Sequence, residues 1–273
     1  WEQGAGTFDN ILHHSWDYIR FAGPGFDRTE ALDPFRYKMV RASDFYREYQ
    51  ERIARHPNID SIHATVRELQ ELGDGIRVET DSGQYHGEQV FTSVSFGDRE
   101  ALMQPYPVLQ QHFLGWFIRS ENPVFDPRRA TFMDFDIPQL GNTRFMYLLP
   151  FSATEGLVEY TLFSAERLEK QAYEAALKTY LADRLGSSGY DILETEQGSI
   201  PMTCNDFSRA DRPGITHIGI AGGWAKASTG YTFHNISRKV PKLLQAIKEG
   251  TSLKMAARNR FWHYDRLLLD VLS

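Results

Sequence analysis

Cysteine is almost absent from this chain. Cys204 stands alone, so no internal disulfide can form, which suits a reducing compartment or a protein indifferent to redox. No apolar run approaches the roughly 18 residues of a spanning helix. Positive charge is not in excess: the net charge is −6, and no basic stripe offers itself to phosphates, which argues against nucleic-acid binding. The chain has no G-x-G-x-x-G fingerprint and no Walker lysine motif, so any dinucleotide pyrophosphate would have to be held elsewhere. Repeats, low-complexity stretches and flexible linkers are also missing. The first residues, "WEQGAGTFDN", are neither a signal peptide nor an initiator start, and suggest a chain cut from something longer.

What remains is ordinary in bulk and rich in aromatics. The 273 residues are 41% hydrophobic and 24% charged, enough for a sizeable core. Phe (18), Tyr (13) and Trp (5) are abundant. Dense β-cores use aromatics in this way, and so do aromatic-lined apolar pockets. The periodicity predicts a helix over residues 43–56, capped by Ser43, with Phe45, Tyr46, Tyr49 and Ile53 on one face. Strands are predicted over 61–69, 75–81 and 88–94, with turns between them. Four longer strands follow, at 112–120, 130–136, 144–151 and 157–164, and suggest an antiparallel meander. A helix over 165–185 is expected to turn Leu168, Ala172, Ala175, Ala176, Leu181 and Leu185 inward. A short buried strand (216–222), an amphipathic helix (229–248, with Ile236, Val240, Leu243, Leu244 and Ile247 on its face) and a closing helix (258–272) complete the pattern. The class is therefore mixed α/β, a sheet domain inserted into a discontinuous α/β domain.

Two stretches carry chemistry. The first is "THIGIAGGWAKASTGYTF", a strand, a loop and a helix start. Such a junction presents free backbone N–H groups and the positive end of a helix dipole. Gly222 and Gly223 admit close backbone approach to a planar or anionic ligand, and Ser228 or Thr229 is placed to cap the helix. Lys226 either meets a ligand or is solvated. An ordinary strand-to-helix turn is the plainer alternative. The second is "GLVEYTLFS". Alternation puts Leu157, Glu159, Thr161 and Phe163 on one face and Val158, Tyr160 and Leu162 on the other, leaving Glu159 as a carboxylate in an apolar strand. Desolvation would raise its pKa toward that of a general acid, unless it forms an ion pair with a neighbour such as Arg144. Asp134, between Met133 and Phe135, either supports such a site or pairs with Arg128 or Arg129. His13 and His14 lack spaced partners for a metal, and Cys204 has no evident base, so no metal site is expected.

Together, "FLGWFIRSENPVFDPRRATFMDF", "FMYLLPFSATEGLVEYTLFS", "GSIPMT" and "IGIAGGWAKASTGYTF" resemble the flavin-dependent lycopene cyclases of the bacterial type. The resemblance continues in "WEQGAGTFDNILHHSW", "YKMVRASDFYREY", "VFTSV" and "YDRLLLDVL", nearly the whole chain in family order. It implies an aromatic-hydroxylase-like FAD-binding domain, here without the N-terminal βαβ unit that carries the glycine fingerprint, interrupted by an antiparallel sheet that covers the substrate. The corresponding division is 1–103 and 191–273 for the FAD-binding parts and 104–190 for the sheet. It implies that Gly222, Gly223, Lys226, Ser228, Thr229, Gly230 and Tyr231 face the cofactor, and that Arg41 begins a helix near it. It implies Glu159 as proton donor with Asp134 in support, and Trp116, Phe117 and Tyr160 along a tunnel. The implied reaction is redox-neutral ring closure of lycopene or a related linear carotene. Reduced FAD would stabilise the cation, NAD(P)H would keep the flavin reduced, and the enzyme would sit peripherally on the cytoplasmic face of a membrane. A related flavoprotein reductase or monooxygenase, and a non-catalytic carotenoid-binding protein, are the rival readings. The oligomeric state stays open.

Overall fold

The computed structural model describes residues 2–94, 103–186, 189–251, 253 and 261–273. Two compact units emerge, one of residues 1–62, 112–163 and 167–198, the other of 63–111, 164–166 and 199–273. This partition groups residues 1–62 with the large sheet, where the sequence pattern sets them with the residues up to 103.

The first unit is built on a seven-stranded mixed sheet. Its strands include β3 (Tyr18–Gly23), β4 (Phe26–Ala31), β10 (Val108–Ser120), β11 (Arg129–Asp134), β12 (Thr143–Pro150), β13 (Glu155–Ser164) and β14 (Tyr190–Thr203), in the order β14-β10-β13-β12-β11-β3-β4. The expected four-strand meander therefore holds only for β11, β12 and β13. β10 lies beyond β13, and β11 pairs in parallel with β3. Three short strands, β1 (Glu2–Gln3), β2 (His14–Trp16) and β5 (Phe35–Met39), form a separate small sheet in the order β1-β5-β2. Helix α1 (Ala42–Arg55) falls where the periodicity predicts, but Arg41 occupies its N-cap and no side chain caps it, so Ser43 does not take that role.

Strand alternation gives the large sheet two apolar faces. One packs on helix α2 (Lys170–Leu185): Leu114, Trp116, Ile118, Met146, Leu148, Val158, Tyr160 and Leu162 meet Tyr173, Leu177, Tyr180 and Leu181. The helix begins at Lys170 rather than 165, and Tyr173 sets its inward stripe. Ala172 and Ala175 consequently face solvent, against expectation. The other face carries Phe117, Leu149 and Leu157 against Trp16 and Ala130, with Tyr37, Met39, Tyr147 and Phe151 packed around them.

In the second unit β6 (Val66–Leu72), β7 (Gly75–Thr80) and β8 (Gln84–Gly87) form an antiparallel sheet; β8 occupies a stretch whose glycines read as a turn. β9 (Val90–Thr92) pairs in parallel with β15 (Ile215–His217), and a small core joins Leu69, Ile76 and Ile215. Helices α3 (Phe233–Glu249) and α4 (Trp262–Leu272) follow. Of the expected α3 face only Leu243 is buried, while Leu244 and Ile247 are exposed. Residues 258–260 of the expected closing helix lie outside the described residues. Among the described residues no helix is long and apolar enough to cross a membrane.

Candidate active site

Glu159 sits in mid-strand on β13, directly opposite Tyr147 of β12. It belongs to the sheet face that carries Leu157, Phe117 and the surrounding rings, not to the face under α2. Among the described residues no arginine forms an ion pair with it. The Arg144 guanidinium donates instead to the Tyr160 hydroxyl (3.0 Å) and to Asn142 (2.7 Å) on the other face. One carboxyl oxygen of Glu159 accepts from the Thr161 hydroxyl at 2.5 Å. The other neighbour is Glu196 of β14, which shares a hydrogen bond with it.

That contact needs a gap, because β10 runs between β13 and β14. The gap is Gly115. A Cβ placed there would lie 2.9 Å from Leu157 Cδ1, 3.2 Å from Glu196 Cγ and 3.3 Å from Glu196 Oε1. A glycine inside a strand weakens it, and here it makes room for side chains from the neighbouring strands. The electrostatic result is one-sided. Loss of hydration pushes the Glu159 carboxyl from 4.5 to about 8, the Thr161 hydrogen bond opposes this, and the negative charge of Glu196 adds to it. Burial leaves Glu196 raised as well, with the hydrogen bond to Glu159 opposing the shift only in part. Both carboxyls are thus raised above the ordinary carboxylate range and titrate as a coupled pair, with burial the main cause at each.

The rings on this face form a connected group. Tyr37 and Tyr147 are edge-to-face and their hydroxyls are hydrogen-bonded. Phe132 stands edge-on to both, and Phe117 stacks on Phe151 with centroids 6.0 Å apart. Of the three residues expected along a tunnel, only Phe117 shares the face of Glu159. Trp116 and Tyr160 are buried against α2 and line nothing on the acid's side. Arg41 lies over the Phe117 ring (4.3 Å) and pairs with Glu194 of β14. With His13, Phe151 and Leu193 they bound a small cavity of about 150 Å³.

Asp134 is on the helix side. One of its oxygens accepts from the Tyr180 hydroxyl (2.8 Å) and from Arg20 (3.1 Å), the other from the Asp136 backbone N–H (3.0 Å). Neither Arg128 nor Arg129 is its partner; they pair with Asp17 and Asp126. Asp134 thus ties β11 to β3 and α2, and does not meet Glu159.

The glycine-rich turn, in the second unit, follows β15. Gly222 has no room for a side chain, since a Cβ would fall 2.2 Å from the His217 carbonyl oxygen. Gly223 has φ +65° and its missing Cβ would press on the Phe207 ring at 2.8 Å; Gly230 has φ +67°. These glycines are required first by the turn itself. Neither Ser228 nor Thr229 caps α3, whose N-cap is Thr232 without a side-chain bond. Lys226 is held by Asp265 and Ser228. Gly222, Gly223, Lys226, Thr229 and Tyr231 nevertheless line one cavity of about 680 Å³, while Ser228 and Gly230 stand outside its wall. Arg238, Lys239 and Lys242 add positive charge to it, and His217 adds a buried ring whose Nε2 has no hydrogen-bond partner among the described residues. Among those residues no cluster suits a metal ion. Cys204 is buried, and burial raises its thiol to about 11, so it is inert near neutral pH.

The lycopene cyclase protein family matches residues 1–268. The chain belongs to that family. Curated relatives agree: a lycopene beta-cyclase of Paracoccus sp. is 32% identical over 127 residues, and one of Pseudescherichia vulneris 30% over 130 residues. Each alignment covers 45% of this chain and 32% of the relative, so the matched region spans about a third of those proteins. Among solved structures, a geranylgeranyl bacteriochlorophyll reductase-like protein of Thermoplasma acidophilum superimposes with a TM-score of 0.65 at 12% identity, over 98% of this chain and 69% of that one. The p-nitrophenol 4-monooxygenase PnpA of Pseudomonas putida gives 0.63 at 11% (97% and 74%). A Klebsiella pneumoniae HpxO variant complexed with FAD gives 0.57 at 15% (96% and 72%). This lycopene cyclase family member therefore has the mixed α/β fold of the aromatic-hydroxylase-like flavoproteins.

Proposed function

We propose that the protein closes the end groups of lycopene, or of a related linear carotene, into β-rings without net oxidation. The observation that carries this reading is a glutamic acid in mid-strand, opposite Tyr147 on an aromatic sheet face, whose carboxyl is bonded to Thr161 and pushed up by burial. Glu159 would transfer its proton to the terminal double bond of the substrate. The carbocation so formed would be attacked by an internal double bond, closing the ring, and loss of a different proton would complete an isomerisation. The π-faces of Tyr147, Phe132 and Phe117 suit a passing cation. Thr161 and Glu196 hold the acid in place, and the surrounding rings keep water from capturing the cation.

The cavity at the glycine turn suits a flavin nucleotide. Its volume lies in the range of cofactor sites, its wall carries Arg238, Lys239 and Lys242 beside Asp206, Asp211 and Asp265, and His217 Nε2, unpartnered among the described residues, calls for a polar partner. Gly222, Gly223, Lys226, Thr229 and Tyr231 would hold FAD there, and the reduced flavin would supply negative charge that stabilises a cation. NAD(P)H would serve only as its reductant. We further propose attachment to a membrane surface, where such a substrate resides; the exposed Tyr264, Leu267 and Val271 of α4 offer an apolar stripe for it.

Expression of the full-length gene product in lycopene-accumulating cells, with chromatography of the carotenoids, tests the reading. Cyclic carotenes are expected from the wild type and none from Glu159→Gln. Full cyclisation by that variant, or consumption of NAD(P)H in step with product, would refute it and favour a reductase or monooxygenase.

A further inference from the structure

The charged groups around Glu159 extend onto β14. β14 carries Glu194 and Glu196 two residues apart, so both side chains lie on one face. Glu194 is occupied by Arg41, which is itself stacked on Phe117. Glu196 forms no ion pair among the described residues, although the positive charge of Arg41 acts on it. Its side chain instead fills the space over Gly115 and meets Glu159 from the far side of β10. Two carboxyl groups from strands separated by a third strand touch only because the intervening residue has no Cβ.

We propose that Glu196 is a positioning residue for the acid: its carboxylate, reaching over Gly115, accepts the hydrogen bond that aims and retains the Glu159 proton. The proposal rests on the cyclisation reading above and deepens it. A neutral pair of acids would leave a proton in excess, and two carboxylates would have none to give. A singly protonated pair is loaded and has a defined donor. The proton balance closes within one turnover. Glu159 gives one proton to the alkene, the ring-closed cation loses one, and the pair must regain one before the next substrate. No oxidant or reductant enters. The groups facing Glu196 are Glu159 and Thr161 from β13, Glu194 on its own strand and Arg41 from the start of α1; β10 presents Gly115, Phe113 and Phe117, which carry no charge. The charges of Glu194 and Arg41 act on Glu196 in opposite directions, and the hydrogen bond couples it directly to Glu159.

The test is the pH profile of kcat for cyclisation in the flavin-loaded, full-length protein, together with titration of the Glu159 carboxyl by isotope-edited infrared spectroscopy. Glu196→Gln removes the negative neighbour, so Glu159 should ionise at lower pH. The alkaline limb of the profile and the carboxyl titration should move down together by about one pH unit or more. Glu196→Asp, which keeps the charge but withdraws it by one methylene, should shift both in the same direction by less. Gly115→Ala pushes Glu196 aside without changing any charge and should do likewise. If Glu196→Gln does not fold, the aspartate and alanine variants decide the matter. Titrations and limbs that superimpose on the wild type in these variants overturn the role of Glu196. Retained cyclisation in Glu159→Gln is a separate result that overturns the cyclase reading itself.

Discussion

Replacing Glu159 by Gln should flatten the dependence of stability on pH. The wild-type carboxyl has a folded pKa of about 8 against an ordinary 4.5, so between those values the folded state holds a proton that the unfolded state has released. The sign follows directly: more protons in the folded state means that stability is fully present below about 4.5 and is lost as pH rises toward 8. The limiting slope for one proton is roughly 1.4 kcal/mol per pH unit. Across the whole window that gives a ceiling of roughly 5 kcal/mol, and the partial solvent exposure of Glu159 cuts it to about half, or about 2–3 kcal/mol. The amide of Gln does not titrate, and its NH₂ can still donate to Glu196. The variant should therefore match or exceed the wild type near pH 8 and lose its relative advantage toward pH 5. Urea unfolding at pH 5, 6, 7 and 8, followed by circular dichroism, reads the difference. Two stability curves that run parallel over that range would show that Glu159 does not carry the extra proton, and the argument for it as the acid would fail with them.

Two further substitutions separate scaffold from site. Gly222→Ala should cost at least about 2 kcal/mol, because the new methyl meets a backbone carbonyl rather than a movable side chain, and flavin content should fall in parallel. Thermal unfolding and the flavin absorbance of the purified protein check it; a variant with wild-type melting and flavin content would contradict the cramped turn. Tyr180→Phe leaves Asp134 short of a donor beneath α2 and should destabilise by roughly 1–3 kcal/mol while leaving the pH profile of cyclisation in place. A shifted profile in that variant would instead link Asp134 to the acid.

The regular elements were legible where one face or both were apolar. β7, β10, β12, β13 and α1 lie within a few residues of their expected positions because hydrophobic period reports burial directly. β4, every residue of which is exposed, gives no such signal, and neither does most of β14. Strand order was not legible, since nothing local says that β10 pairs beyond β13 or that β11 runs parallel to β3. Glu159 stood out because its neighbours are apolar. Glu196 did not, because it sits in an acidic stretch, "ETEQ", that reads as a solvated strand. Its one trace was Gly115 in the middle of "HFLGWFIRS", where an interior glycine marks close approach from outside the strand. Trp116 and Tyr160 illustrate an opposite error. Each is adjacent in sequence to a residue on the acid's face, and adjacency in a strand places side chains on opposite faces.

The two faces of the sheet also divide the polar groups between them, and this division bears on where chemistry can occur. Under α2 buried polar side chains are paired with one another: Tyr173 with His112 (2.6 Å), Arg144 with Tyr160, and Asp134 with Tyr180 and Arg20. Such satisfied groups hold strands to the helix and have little tendency to exchange protons with anything else. On the opposite face the balance is broken, because two carboxyl groups meet there and the arginine nearest them is engaged by a third. The two acids share this face with the rings of Tyr37, Tyr147, Phe132 and Phe117. In the proposed reaction an alkene brought against Tyr147 and Phe132 would find the π-faces of these rings available to a developing cation. The same sheet thus secures the fold with one face and brings two carboxyl groups together on the other, and the residue that makes room for the second arrangement is the glycine between them.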